Sequence, residues 1–113
     1  MPGKAPRQKG NRFERQIVNW LKESGLNAFR VPYSGSMANF KGDVQINTKQ
    51  RQYTIEAKSR ANGLRFLYNN LGINDFLIVR RDREKTLVIM DFVQFIELIK
   101  AVDKSYDIPP NNT

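Results

Sequence analysis

The 113-residue sequence contains neither cysteine nor histidine. The lack of cysteine excludes disulfides, thiolate zinc sites and a cysteine nucleophile. The lack of histidine excludes the serine–histidine–aspartate and cysteine–histidine triads and any imidazole-bound metal, which leaves carboxylates and lysine as the plausible catalytic groups. No apolar run approaches the roughly 18–20 residues of a membrane span, and residues 1–11 are basic without the apolar stretch of a secretory signal. We therefore expect a soluble cytoplasmic protein, in the cytoplasm of the host cell if its source is a virus.

An excess of basic residues is the main indication of the partner. The chain has 19 lysines and arginines against 11 acidic residues, which gives a formal net charge of +8. The cations are grouped, at Lys4, Arg7, Lys9, Arg12 and Arg15 and again at Arg80, Arg81, Arg83 and Lys85. Such a balance favours a polyanion, most simply nucleic acid held by its phosphates. A basic surface can also aid solubility or bind a membrane, but no segment has the strongly amphipathic basic helix that membrane binding needs. We predict a nucleic-acid partner, no membrane and no small-molecule cofactor.

The hydrophobic pattern predicts a single α/β domain. Helical and strand periodicities alternate in the order α-β-β-β-α-β-β-α, which we interpret as one mixed five-stranded sheet flanked by helices. Residues 1–10 show no periodicity and are predicted to be a flexible basic arm. The domain is expected to occupy residues 11–104, and residues 105–113 to form a loose C-terminal tail.

Three positions carry signals for the ends of helices. Asn11 is a good N-cap for the first helix, with Glu14 in the capping-box position three residues later. Gly25 is expected to end that helix. Asp91 is expected to cap the last helix, whose apolar stripe follows it.

Alternation of polar and apolar residues predicts a β-hairpin formed by residues 42–47 and 52–58. The register that closes a four-residue loop between them places Asp43 opposite Glu56 and directs Lys58 to the same face. The apolar side chains share the other face: Val44, Ile46, Tyr53, Ile55 and Ala57.

Two opposed carboxylates are unfavourable unless a cation compensates them. Directly opposed residues of an antiparallel pair have Cβ atoms roughly 4.5–5.5 Å apart, where like charges destabilise the sheet. Carboxylate oxygens suit a hard ion such as Mg²⁺, which keeps several waters for a substrate, and Lys58 would lie beside such a water. The alternative is a solvated polar face on which Lys58 relieves the repulsion between Asp43 and Glu56. The hairpin alone leaves both possibilities open.

The order of these residues resembles a nuclease motif. Glu14 on a helix, Asp43 on a strand and Glu56-Ala57-Lys58 on the next strand resemble the PD-(D/E)xK nuclease superfamily, and more closely the archaeal-type Holliday junction resolvases. The resemblance covers residues 7–60 and includes the loop Ser34-Gly35-Ser36. It implies a restriction-endonuclease-like fold and a metal-dependent DNA endonuclease.

The resemblance also implies roles for the matched residues. Asp43, Glu56 and the main-chain carbonyl of Ala57 would bind a divalent metal, Mg²⁺ with Mn²⁺ able to substitute. Lys58 would orient or help to deprotonate the attacking water and would stabilise the phosphorane-like charge. Glu14 would complete the acidic site by holding water or a second metal. Without the resemblance, the sequence favours a capping-box role for this residue, and the resemblance reverses that preference.

Residues around the motif are candidates for contacts with DNA. Ser34 would contact the scissile phosphate or its neighbour, although turn formation alone accounts for a serine there. The remaining candidates, each of which has a plain solvated role as its alternative, are Lys9, Arg12, Arg30, Tyr33, Ser36 and Arg60.

The predicted function is the resolution of four-way DNA junctions by two symmetric phosphodiester cleavages. Two nicks in opposed strands require two active sites, which a twofold homodimer supplies, and the apolar segment 64–76 is the predicted contact between the subunits. One alternative is a nicking or repair nuclease of the same superfamily. Another is a non-catalytic basic DNA-binding domain whose acidic residues are structural.

Overall fold

The computed structural model describes residues 4–32 and 43–105 of the chain. Its helices and strands follow the predicted order. They are α1 Lys4–Glu23, β1 Asn27–Arg30, β2 Val44–Asn47, β3 Gln52–Ile55, α2 Arg65–Leu71, β4 Phe76–Val79, β5 Leu87–Met90 and α3 Phe92–Ser105. No helix in this described part of the chain is long and apolar enough to cross a bilayer.

The strands form two separate antiparallel sheets, so the prediction of one mixed five-stranded sheet is wrong. The first sheet has the order β1-β2-β3 and the second consists of β4 and β5. Period-two alternation identifies a strand and its buried face, but it carries no information about the lateral neighbour of that strand. For this reason the sequence predicted the strands and not their division between two sheets.

Helix α1 begins at Lys4 rather than after Asn11. Residues 4–10 are therefore helical, so the prediction that the first helix begins at Asn11, with Asn11 as its N-cap, is wrong. Pro6 is compatible with this start because the first N–H groups of a helix have no intrahelical partner and the φ of proline suits a helix. The apolar stripe begins only at Phe13, so hydrophobic periodicity could not reveal the two turns before it.

The two other predicted helix ends are confirmed. Gly25 has a φ of 92° and the N–H of Leu26 donates to the carbonyl of Leu21 at 3.0 Å, which is the long-range bond of a Schellman motif. At the start of α3, the N–H of Val93 donates to Asp91 Oδ1 at 2.7 Å.

The chain divides into two compact units, Met1–Ser59 with Lys100–Thr113 and Arg60–Ile99. In the first unit, α1 packs against β1 and β2. Among the described residues of this unit, the buried side chains are Ile17, Val18, Leu21, Leu26, Ala28, Val31, Val44 and Ile46. Each large aliphatic side chain buried in this way contributes roughly 1.5–3 kcal/mol. This core fixes the strand ends that carry the polar residues of the candidate site.

The second unit contains α2, β4, β5 and the beginning of α3. It buries less of its apolar surface than the first, since no residue of α2 is buried. An open groove of about 500 Å³ is lined by mainly apolar side chains, including Leu64, Leu67, Leu71, Ile89 and Phe92.

Candidate functional site

The predicted register of the β2–β3 hairpin is confirmed. Val44 pairs with Ile55 and Ile46 pairs with Tyr53. Val44 and Ile46 are completely buried, and their neighbours in the sequence point to the opposite, more polar face. The ladder therefore places Asp43 on the polar face, immediately before the first residue of β2.

Asp43 is held by both neighbouring strands. Its backbone N–H donates to the carbonyl of Ile55 at 2.7 Å, and its carbonyl accepts from the N–H of Val31 at 2.9 Å. Its side chain then takes the place of a further ladder bond, because Asp43 Oδ2 accepts from the N–H of Ala57 at 2.9 Å. The regular ladder stops one pair short of the predicted pairing of Asp43 with Glu56. The carboxylate of Asp43 is instead fixed against the peptide unit that joins Glu56 to Ala57.

Glu56 and Lys58 form an exposed ion pair just after β3. Lys58 Nζ lies 3.4 Å from Glu56 Oε1, and the two side chains are 59% and 64% exposed respectively. They share a face, as the alternation predicted. Ion pairs with this exposure contribute about 0–1 kcal/mol. The pair is therefore weak enough for either partner to exchange it for a divalent cation or a phosphate oxygen.

Glu14 is bound to Arg30. Arg30 Nε and Nη2 donate to Glu14 Oε1 at 3.2 and 3.1 Å, and Nη2 also donates to Asn11 Oδ1 at 3.1 Å. The Glu14 side chain is only 15% exposed, where hydrogen bonds to charged groups contribute about 1.5–3 kcal/mol. The guanidinium thus ties β1 to one face of α1, and Glu14 has no capping role. Asn11 was missed as a partner, although residues three apart share a helix face once the helix extends through both.

The structure does not gather Glu14, Asp43 and Glu56 into one metal centre. Within residues 4–32 and 43–105, no group of three or more acidic side chains is close enough to hold a metal ion. A smaller donor set does fit a hard cation, because Mg²⁺ is often bound through one or two carboxylates. The hydrogen bond from the Ala57 N–H holds the Asp43 carboxylate beside the peptide that joins Glu56 to Ala57. The donors available at this end of the hairpin, two carboxylates and main-chain carbonyls, are all oxygen atoms. The residues present therefore suit a divalent ion without Glu14.

The predicted DNA-binding residues are distributed over several elements. Lys9 and Arg12 are exposed on α1, and Arg60 is exposed after the hairpin. Arg30 is half-buried and engaged with Glu14. Three candidates lie outside the described residues: Tyr33, Ser34 and Ser36. The roles of all these residues toward DNA remain predictions.

Carboxylates and a lysine at the end of adjacent strands, on a chain with a net charge of +8, are typical of nucleases that hydrolyse phosphodiester bonds. The family model of the archaeal Holliday junction resolvases (Hjc) matches residues 5–108, and the chain belongs to this family. The resemblance drawn from the motif residues is thereby confirmed. The family is one of DNA-binding nucleases that act on Holliday junctions in recombination and repair. Neither the curated proteins nor the solved structures gave a match to the chain.

Proposed function

We propose that this protein is a metal-dependent, structure-selective DNA endonuclease that resolves four-way junctions by paired, symmetric hydrolysis of phosphodiester bonds. The observation that carries the proposal is the 2.9 Å hydrogen bond from the Ala57 N–H to Asp43 Oδ2. This bond holds the carboxylate of Asp43 against the peptide unit that joins Glu56 to Ala57. Membership in the resolvase family supports the four-way junction as the substrate.

Asp43, Glu56 and the main-chain carbonyl of Ala57 would hold the divalent ion. Mg²⁺ is the expected ion and Mn²⁺ a possible substitute, because every donor is an oxygen. When bound, the ion would neutralise phosphate charge, activate water and align the two. Asp43 brings a carboxylate that is already positioned by its hydrogen bond, whereas Glu56 becomes available by giving up its exposed ion pair with Lys58.

Lys58 is proposed to stabilise the negative charge that develops on the phosphate during attack by water. An ammonium group has three donors and no acceptor, so Lys58 would orient phosphate oxygens by donating to them once Glu56 has left the ion pair. Before Glu56 gives up the ion pair to bind the metal, the pair holds this ammonium beside Glu56. As water forms its bond to phosphorus and the bond to the leaving oxygen breaks, the added charge on the phosphate oxygens would face this cation.

Glu14 and Arg30 are proposed to act as one unit. Glu14 orients the guanidinium, and the donors that Glu14 and Asn11 do not use would contact a DNA phosphate. In this arrangement Glu14 contributes to the acidic site as a positioning residue. A direct role of Glu14 in holding water or a second metal is the competing proposal.

Other contacts with DNA would position the junction rather than read its sequence. Lys9, Arg12 and Arg60 are exposed cations suited to phosphates. Ser34 is proposed to contact the scissile phosphate, with Tyr33 and Ser36 beside it in the sequence. Because these contacts are mainly electrostatic, the affinity for junctions should fall steeply with salt.

A homodimer is proposed because symmetric cleavage requires two active sites at a fixed spacing. The contact is assigned to residues 64–76. In this segment the side chains of Phe66, Tyr68 and Ile73 are 63%, 73% and 103% exposed. Apolar side chains exposed together in one short segment favour a protein–protein contact.

Cleavage of a labelled four-way junction and of its matched linear duplex, with Mg²⁺ present, tests the function. We expect paired symmetric nicks in the junction alone, and none with Asp43→Asn. Cleavage of both substrates would retain the nuclease and exclude junction selectivity. Tight junction binding without any cleavage would overturn the enzymatic proposal in favour of a binding domain.

A further inference from the structure

The turn between β4 and β5 is the most strongly charged segment outside the candidate site. It has the sequence Arg80-Arg81-Asp82-Arg83-Glu84-Lys85, with four cations and two carboxylates. Its formal net charge is therefore +2, and every residue of it is exposed. None of its residues has a role in the proposed metal site.

One of these cations is neutralised within the turn. Arg81 Nη2 lies 2.9 Å from Glu84 Oε1, and the backbone N–H of Glu84 donates to the carbonyl of Arg81, also at 2.9 Å. Both interactions close the same four-residue turn, from Arg81 to Glu84. By contrast, no hydrogen bond or ion pair to any described part of the chain engages the side chains of Arg80, Arg83 or Lys85.

Arg83 has an unusual backbone conformation. Its φ is 65°, and no other non-glycine residue within 4–32 and 43–105 has a positive φ. As the third residue of the turn it occupies the position where a type II turn calls for glycine or asparagine. An L-residue with a side chain is disfavoured there because its Cβ crowds the backbone. Strain of this kind at an exposed position points to a use for the side chain, since glycine would form the turn more easily.

We propose that the β4–β5 turn is a phosphate-binding site for DNA, formed by Arg80, Arg83 and Lys85. The proposal rests on the proposed function for the identity of the polyanion, a duplex arm of a branched DNA. The planar guanidinium of Arg83 matches two phosphate oxygens, and the Arg81–Glu84 pair limits the motion of the loop that presents it. A pre-ordered loop loses less conformational entropy when it binds.

This site lies in the second unit of the chain, whereas the proposed metal ligands lie in the first. Both units would therefore contact DNA phosphates.

Four single variants test the site by fluorescence anisotropy with a labelled four-way junction, in EDTA so that no cleavage occurs, over a range of salt concentrations. Arg83→Gln removes the charge, Arg83→Lys retains it, and Arg83→Gly removes both the side chain and the strain. Lys104→Gln changes an exposed lysine in the last turn of α3 and controls for the loss of net charge alone.

We expect Arg83→Gln to bind the junction roughly 3- to 10-fold more weakly at moderate salt, with the slope of log K against log salt reduced by about 0.9. Arg83→Lys and Lys104→Gln should retain the wild-type slope. Arg83→Gly should bind as weakly as Arg83→Gln while its Tm is no lower than that of the wild type, because it relieves the strained φ. Weaker binding without lower stability is a result that a purely structural role of Arg83 would not produce.

Equal effects of Arg83→Gln and Lys104→Gln would overturn the inference, since net charge alone would explain them. Wild-type affinity in Arg83→Gln and Arg83→Gly would overturn it as well, while cleavage of the junction by the wild type left the proposed function intact. A wild-type protein that binds neither junction nor duplex would overturn the proposed function, and the phosphate site would fall with it.

Discussion

Arg30 Nη2 lies 3.1 Å from Glu14 Oε1, and the same nitrogen donates to the side chain of Asn11. A residue expected to bind phosphate and a residue expected to complete the acidic site therefore belong to one contact between β1 and α1. Substitution of either changes the position of the other. Loss of activity in a single variant of Arg30 or Glu14 consequently does not assign a catalytic role to the residue replaced.

A double-mutant cycle separates this contact from an ordinary surface ion pair. We expect Arg30→Ala and Glu14→Ala each to lower the free energy of unfolding by about 1.5–3 kcal/mol, because each leaves a half-buried charge without its partner. Arg81→Ala and Glu84→Ala form the matched control, since that pair is far more exposed and its coupling should be about 0.2–1 kcal/mol. Urea unfolding measures both cycles. A coupling energy for Arg30 and Glu14 no larger than that of the control would contradict the structural importance of the contact.

Two substitutions of Asp43 should separate its contribution to cleavage from its contribution to stability. In Asp43→Asn the side-chain oxygen can still accept from the Ala57 N–H, so the Tm should stay close to that of the wild type while cleavage is lost. Asp43→Ala should lose cleavage and also stability, by about 1–3 kcal/mol, because the N–H of Ala57 loses its partner. Thermal melting and junction cleavage of the two proteins make the comparison. Activity in Asp43→Asn would show that the carboxylate charge is not required.

The dependence of cleavage on a divalent metal should require Asp43, just before β2, and Glu56, just after β3. We expect EDTA to abolish cleavage and either Mg²⁺ or Mn²⁺ to restore it. Glu56→Gln should weaken Mn²⁺ binding measured by calorimetry, because it removes a charged ligand. Glu97→Gln, at an exposed carboxylate of α3, should leave the binding unchanged. If Glu56→Gln and Glu97→Gln bind the ion as the wild type does, Glu56 is not a ligand.

Replacement of Lys58 should lower the rate of cleavage without lowering the affinity for the metal. Lys58→Met removes a cation that would stabilise the transition state, and loss of one such group typically costs about 10²–10³-fold in rate. The same substitution releases Glu56 from its ion pair, so metal affinity should be equal to that of the wild type or higher. Single-turnover cleavage and calorimetry measure the two effects. A parallel loss of rate and metal affinity would mean that Lys58 supports the site only structurally.

The oligomeric state should depend on the apolar segment 64–76. We expect a dimer by sedimentation at micromolar concentration, and a monomer for Ile73→Asp, since the fully exposed Ile73 contributes little to the stability of the subunit. Leu98→Asp is the control, because Leu98 is also exposed, at 43%, but lies on α3 outside this segment. A monomeric wild-type protein would exclude the dimer contact proposed for residues 64–76.

Local rules explain which features could be predicted from the sequence. The register of β2 and β3 was predictable because a short loop and period-two alternation leave few alternatives. The ends at Gly25 and Asp91 were predictable because the cap residue itself makes the required bond or adopts the required φ. The motif residues Asp43 and Glu56 could be singled out because like charges across a hairpin require an explanation.

Features that depend on distant residues could not be predicted in this way. The start of α1 lies in a stretch without an apolar stripe, so hydrophobic periodicity could not identify it. The contact between Arg30 and Glu14 joins elements 16 residues apart in the sequence, and nothing local indicates that a basic strand residue will turn toward a helix. The alternation predicts that the β2–β3 pairing continues to Asp43 and Glu56. In the structure, the bond from the Ala57 N–H to the Asp43 side chain takes the place of that backbone pairing.

Because the side chain of Asp43 replaces a backbone bond between β2 and β3, the distance between these strands at that end depends on the length of this side chain. A glutamate at position 43 would carry the same charge but is one methylene longer, so it could not make the Ala57 bond without displacing a strand end. Position 43 is thus restricted in length as well as in charge. Glu56 is exposed, and its partner among residues 4–32 and 43–105 is the side chain of Lys58. Position 56 is therefore restricted in charge alone. A redesign of the proposed metal site for a different cation should therefore vary position 56.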